Sequence, residues 1–208
     1  MNLAVIGSGG REHALCYKLR HSSEVKKLYC IPGNAGTKNI AENIIEDISN
    51  FDRIYKIIKE KKIDLVIVGP EEPLVNGIVD FLSNKNIMVF GPDKFSSQLE
   101  GSKAFMKNLC KKNKIPTANF GIFENFDEAL DFIETSNLPI VVKADGLAAG
   151  KGVSICQSKQ EAKNKVEEII QGKFKSSKKV VLEEFLEGEE LSYFSIVDKN
   201  TFRFFGSA

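Results

Sequence analysis

Lys143 and Lys151 flank Gly146 and Gly150, with Gly152 directly after, in the run Ile140 to Val153, IVVKADGLAAGKGV. Glycines let backbone N–H groups approach phosphate oxygens closely, and the two ammonium groups add mobile positive charge beside them. The same composition also fits a Gly/Ala-rich hairpin with two solvated lysines. Ile140, Val141 and Val142 follow Pro139 as a β-branched run, which predicts a short buried strand with Lys143 at its exit. Gly150, Lys151 and Gly152 lack the Ser or Thr that a Walker loop sets on magnesium. In the kinase order the glycine loop comes before the strand lysine, the reverse of what stands here.

A second cluster lies at Val180 to Leu186, VVLEEFL, followed by EGEE. This reads as a buried strand delivering Glu183 and Glu184 to a hinge whose backbone, through Leu186, suits an adenine edge. Glu190 suits ribose hydroxyls, and an acidic surface turn fits the same residues. Lys103 follows Gly101 and Ser102 at a helix start, where a cation faces either an anion or solvent.

The amino terminus offers a third cluster. Leu3 to Ile6 is an apolar run ending in Gly7, Gly9 and Gly10, and Arg11 to Arg20 continues with helical spacing. A dinucleotide fingerprint is disfavoured, because Glu12 stands where its third glycine belongs and the strand Lys27 to Ile31 runs into Pro32 with no acid. What survives is a helix start with Arg11 beside it, suited to a phosphate or carboxylate. His13 in the first turn reads equally as an ordinary hydrogen-bonded histidine or a catalytic one. The loop PGNAGT supplies Gly33, Asn34, Gly36 and Thr37, and GPEEPL supplies Gly69, Pro70, Glu71 and Glu72. The two glutamates suit hydroxyls or an amine, or else cap the next helix.

The elements that must position these groups alternate. Strands at Leu3–Ile6, Lys27–Ile31, Asp64–Val68 and Ile87–Phe90 interleave with helices at Arg11–Arg20, Phe51–Lys61 and Val75–Ser83. That predicts an α/β fold whose amino-terminal domain is a parallel, doubly wound sheet, with its loops converging at the strands' carboxyl ends. Residues 93–115 read as a helical connection with a break at Gly101. Residues 116–208 read as an α+β unit: strands at Thr117–Gly121, Ile140–Ala144, Val153–Gln157 and Val180–Glu183, helices at Asp127–Thr135 and Lys159–Gln171, then a hairpin of Glu190–Val197 and Thr201–Gly206 turning at Asp198 to Asn200.

Composition narrows the class. With 208 residues the chain has room for two units of roughly 100 residues. A hydrophobic share of 42% with 27% charged residues argues against disorder and membrane spans. The net charge of +1 gives no pull toward nucleic acid or anionic lipid. Cys16, Cys30, Cys110 and Cys156 are scattered without a CxxC, so buried reduced thiols are expected rather than zinc or disulfides. The lysines of 59–62 and 173–179 read as solvated surface. The apolar start is too short for a signal peptide or anchor, which predicts a cytoplasmic protein.

GSGGREHAL, IPGNAGT, VGPEEPLV, FGP, QLEGSKAFMK, VVKADGLAAGKGV and EEFLEGEELS stand in one order across nearly the whole chain. This series resembles the phosphoribosylamine-glycine ligases (glycinamide ribonucleotide synthetases), members of the ATP-grasp superfamily. The resemblance implies an amino-terminal (pre-ATP-grasp) substrate domain over 1–92, and over 116–208 the first part of an ATP-grasp domain. It implies ligation of glycine to 5-phosphoribosylamine with ATP as substrate and Mg2+ or Mn2+ beside it, in purine biosynthesis, by a monomer that needs neither nucleic acid nor membrane. Lys103, Lys143, Gly146, Gly150, Lys151 and Gly152 would face the ATP phosphates, with Lys143 and Lys151 as the catalytic pair. Glu183, Glu184 and Leu186 would hold adenine and Glu190 the ribose. Gly9, Gly10, Arg11 and Glu12 would hold phosphoribosylamine together with the PGNAGT and GPEEPL residues. Family members continue past this length, with metal ligands expected beyond residue 208, so the 208-residue chain alone is expected to be an inactive amino-terminal part. Rival readings are a non-catalytic nucleotide-binding module or another ATP-grasp carboxylate–amine ligase.

Overall fold

The computed structural model describes residues 1–148, 152–172, 178–198 and 200–208. The first sheet contains β1 (Asn2–Gly7), β2 (Lys27–Pro32), β3 (Glu42–Asn43), β4 (Leu65–Val68) and β5 (Met88–Phe90), in the order β3-β2-β1-β4-β5. All of its pairings are parallel, as the alternation of strands and helices predicts. Side chains alternate across it. Ala4 and Ile6 pack with Ile54 and Ile58 of α2 (Phe51–Lys61) and with Ile78 and Leu82 of α4 (Ile78–Ser83). Leu3 and Val5 pack with Cys16 of α1 (Gly10–Arg20) on the opposite face.

Three details depart from the sequence reading here. The GPEEPL loop is partly helical: Glu71–Val75 forms a short helix, α3, separated from α4 by Asn76 and Gly77. Pro73 does not break α3, because it sits in the first turn, where backbone N–H groups have no intrahelical acceptor to lose. The helix expected over Val75–Ser83 is interrupted at Gly77, whose φ of 91° leaves the helical region. The two-residue strand β3 was not expected, since Glu42 and Asn43 make no apolar run.

The connection contains α5 (Gln98–Gly101) and α6 (Lys103–Lys112). Beyond it, β6 (Phe120–Phe123), β7 (Ile140–Ala144), β8 (Val153–Cys156) and β9 (Val180–Glu184) form an antiparallel sheet in the order β6-β9-β7-β8. Helices α7 (Phe126–Thr135) and α8 (Lys159–Ile170) cover one face, burying Ile140, Val142, Ala144, Val180 and Leu182 against Ala129, Ile133, Ala162 and Val166. Period-two alternation turns Val141, Lys143, Val181 and Glu183 to the other face. The ladder of β6 starts at Phe120, not at Thr117, because side-chain hydrogen bonds through Thr117 and Asn119 hold the preceding segment.

The last strands, β10 (Tyr193–Val197) and β11 (Phe202–Ser207), pair with each other in an antiparallel hairpin and expose Tyr193, Phe194, Phe202, Phe204 and Phe205. Position 199 of its turn lies outside the described residues, as do positions 173–177 of the lysine-rich patch. Cys16, Cys30 and Cys156 are buried and free, and burial pushes the Cys156 thiol up to about 11. Among the described residues no helix is long and apolar enough to cross a membrane.

Candidate functional site

The three amino-terminal loops converge at the carboxyl ends of β1, β2 and β4. Gly33 N–H donates to the Gly7 carbonyl at 3.1 Å, and Asn34 Nδ2 donates to the Ser8 carbonyl at 2.9 Å. Thr37 N–H donates to Asn34 Oδ1 at 2.9 Å, and Thr37 Oγ1 donates to Asn43 Oδ1 at 2.8 Å. Asn43 thus ties β3 to PGNAGT. At Gly36 a Cβ would lie 2.7 Å from the His13 ring, so His13 closes on that loop. Glu12 is 3% exposed, and its Oε2 accepts from Gly9 N–H at 2.7 Å, reaching back from the third helical position to the residue that opens α1. A Cβ on Gly69 would collide with the same carboxylate, so Glu12 fills the space between the β1 and β4 loops. Gly10 opens α1 beside it.

Arg11 reaches across this junction. Its Nη2 donates to Glu71 Oε1 at 2.9 Å, with the Arg11 side chain 60% exposed. The Glu71 carboxyl is held below the usual range, first by its own backbone N–H and then by Arg11. Glu71 and Glu72 stand in the first turn of α3, where the helix end favours negative charge.

In the second half, Lys103 Nζ donates to the Gly146 carbonyl at 3.0 Å, and Ala104 N–H donates to Asp145 Oδ1 at 3.1 Å. Ser102 Oγ donates to Asp145 Oδ1 at 3.0 Å. The start of α6 is therefore bound to the start of the glycine loop. Lys143 Nζ lies 3.0 Å from Glu183 Oε2, and Lys107 Nζ lies 2.8 Å from the same oxygen. Glu184 accepts from Asn119 N–H at 2.9 Å and from Asn119 Nδ2 at 3.1 Å, while Leu186 and Glu190 are exposed. Gly150 and Lys151 lie outside the described residues.

A cleft of about 1060 Å³ lies between the halves. It brings Pro70, Glu71 and Glu72 opposite Lys103, Gly146 and Gly152, with Glu100 and Leu147 also on its walls. Anionic and cationic groups thus face one space large enough for several small molecules. Sequence reasoning singled out all six of the former residues but missed Ser102, Lys107, Thr117 and Asp145. Ser102 carried a signal, since a serine ahead of a helix is a natural N-cap; its Oγ accepts from Phe105 N–H at 3.1 Å. Lys107 carried none, because a lysine on an amphipathic helix reads as surface. Among the described residues no group of three or more His, Cys, Asp or Glu could hold a metal ion.

The family model described as phosphoribosylglycinamide synthetase, N domain, matches residues 1–100, and its ATP-grasp (A) domain counterpart matches residues 101–208. A curated phosphoribosylamine–glycine ligase of Mesorhizobium japonicum is 47% identical over all of this chain and 49% of its own length. The crystal structure of a phosphoribosylamine–glycine ligase from Thermotoga maritima superposes with a TM-score of 0.82 at 35% identity, over 98% of this chain and 49% of that one. N5-carboxyaminoimidazole ribonucleotide synthetase from Thermotoga maritima, at 20% identity, shares the fold with a TM-score of 0.70 over 99% of this chain and 53% of its own. The chain spans about half the length of the curated relatives it matches.

Proposed function

This chain belongs to the phosphoribosylglycinamide synthetase family, and from that premise we propose that it carries the substrate loops and part of the nucleotide site of an ATP-dependent carbon–nitrogen ligase. In this reading a glycine carboxylate oxygen attacks the γ-phosphorus of ATP, ADP departs, and glycyl phosphate forms. The amine of 5-phosphoribosylamine then attacks the carbonyl carbon, phosphate leaves, and the amine's surplus proton passes to solvent. The product is glycinamide ribonucleotide.

The observation that carries the reading is the cleft, where the GPEEPL loop faces Lys103 and the glycine loop across one space. Lys103 and Lys143 neutralise phosphate charge, and Gly146, Gly150, Lys151 and Gly152 belong to the same phosphate site, which suits a reaction dominated by positioning and electrostatics. Glu183, the Glu184 and Leu186 backbone, and Glu190 hold the nucleoside. Gly9, Gly10, Arg11, Gly33, Asn34, Gly36, Gly69, Pro70, Glu71 and Glu72 shape the phosphoribosylamine site. Glu12 and Thr37 support it from beneath, consistent with their burial. The described residues do not assemble a magnesium set, and no step here runs through the metal.

Phosphate release from ATP, with glycine and with or without phosphoribosylamine, tests the proposal in the full-length protein. Turnover that needs both substrates is the expected result. A well-folded protein that binds nucleotide without turnover would replace the ligase with a binding module. Turnover with another carboxylate in place of glycine would reassign the substrate.

A further inference from the structure

Three charged side chains meet on the face of the second sheet that α7 and α8 leave uncovered, and one of them has no part in the chemistry above. Lys107, on α6, approaches Glu183 Oε2 at 2.8 Å, donates to Thr117 Oγ1 at 2.7 Å and lies 5.6 Å from the centre of the Phe120 ring. Lys143 approaches the same oxygen at 3.0 Å. The two lysines differ in freedom: the side chain of Lys107 is 4% exposed and that of Lys143 is 26% exposed. Glu183 Oε1 has no hydrogen-bond partner among the described residues, so the carboxylate is met at Oε2 alone.

One cation is enough to compensate a buried carboxylate, and removing the only one strands the charge. Glu183 has two cations, one fixed on three sides and one reaching toward solvent. We infer that Lys107 is a positioning residue that serves as the permanent counterion of Glu183, so that Lys143 is free to move to an anionic oxygen. Without Lys107, Glu183 would depend wholly on Lys143 and would keep it. The inference rests on the reading of Lys143 as a phosphate ligand, and it explains how a lysine already in an ion pair remains available to a substrate.

The test is acylation by acetic anhydride, read at Lys143 by peptide mass spectrometry against Lys61 as a remote standard. Lys107→Met is expected to slow Lys143 labelling about fivefold, since its ammonium is then fully engaged, and Glu183→Gln to speed it about threefold. Lys107→Arg, which keeps the cation, is expected to stay near the wild-type rate. A purely structural Lys107 would loosen the site when removed, so Lys107→Met and Glu183→Gln would both speed labelling; that result overturns the inference. If Lys107→Met does not fold, a wild-type rate in Glu183→Gln overturns it independently. Inorganic tripolyphosphate added to the wild-type chain separates the two readings. Protection of Lys143 supports both, whereas absent protection with the order of rates intact overturns only the assignment of Lys143 to phosphate.

Discussion

Each half of the molecule buries a glutamate behind its candidate loops, and the two are compensated by different means. Glu12 and Glu183 are 3% and 5% exposed, and each leaves Oε1 without a hydrogen bond among the described residues. Glu12 is met by a backbone N–H at the start of α1, with the largely exposed Arg11 at 3.5 Å. Glu183 is met by two ammonium groups. A carboxylate held chiefly by backbone fixes the shape of a loop. A carboxylate held by two cations controls where positive charge is available.

The sharpest way to break this contrast is Glu183→Ala, which leaves Lys107 buried beside Thr117 without its counterion. A loss of about 3–5 kcal/mol in urea unfolding is expected; a loss below about 1 kcal/mol would mean that the lysines rehydrate freely. Glu12→Ala comes next, at about 1–3 kcal/mol by the same measurement, since it leaves Gly9 N–H without its acceptor and opens a space between the β1 and β4 loops. If it cost more than Glu183→Ala, the ranking of the two devices would be reversed.

The smallest effect is expected from Arg11→Ala, less than about 1 kcal/mol near neutral pH, because its pair with Glu71 is exposed. Its pH dependence has a definite sign. Folded Glu71 titrates below its unfolded counterpart, so its contribution is present above the ordinary glutamate pKa of about 4.3 and is lost as the pH falls through the lower folded value. Removing Arg11 raises that folded value and moves the loss to higher pH. Acid titration monitored by circular dichroism would show the shift, and an unchanged midpoint would leave Glu71 governed by its backbone hydrogen bond alone.

Much of the fold was legible because its signals are local. The runs at Leu3–Ile6 and Ile140–Val142 announce buried strands, and Phe51–Lys61 has helical spacing, to which the structure adds an Asn50 side chain accepting from Arg53 N–H. β3 was not legible, because it depends on Asn43 bonding to Asn34 and Thr37 across a loop. The short helix α3 was hidden by two prolines that usually signal a turn. Within the candidate site, Lys103 and the glycines stand in recognisable motifs. Lys107 gains its meaning only from Glu183, brought to it by the second sheet, and no window along the chain holds both.

The strand order of the two sheets has a consequence for synthesis. Every strand of the first sheet has been made once Phe90 emerges, so that unit can close early. Among the described residues β6 pairs only with β9, which also pairs with β7, so β6 must wait for Val180–Glu184. At about 5–20 residues per second on the ribosome, that delay is on the order of ten seconds. During it Phe120 and Ile122 lack their ladder and Lys107 lacks its counterion, which makes this interval the one in which a nascent chain most needs protection from its neighbours.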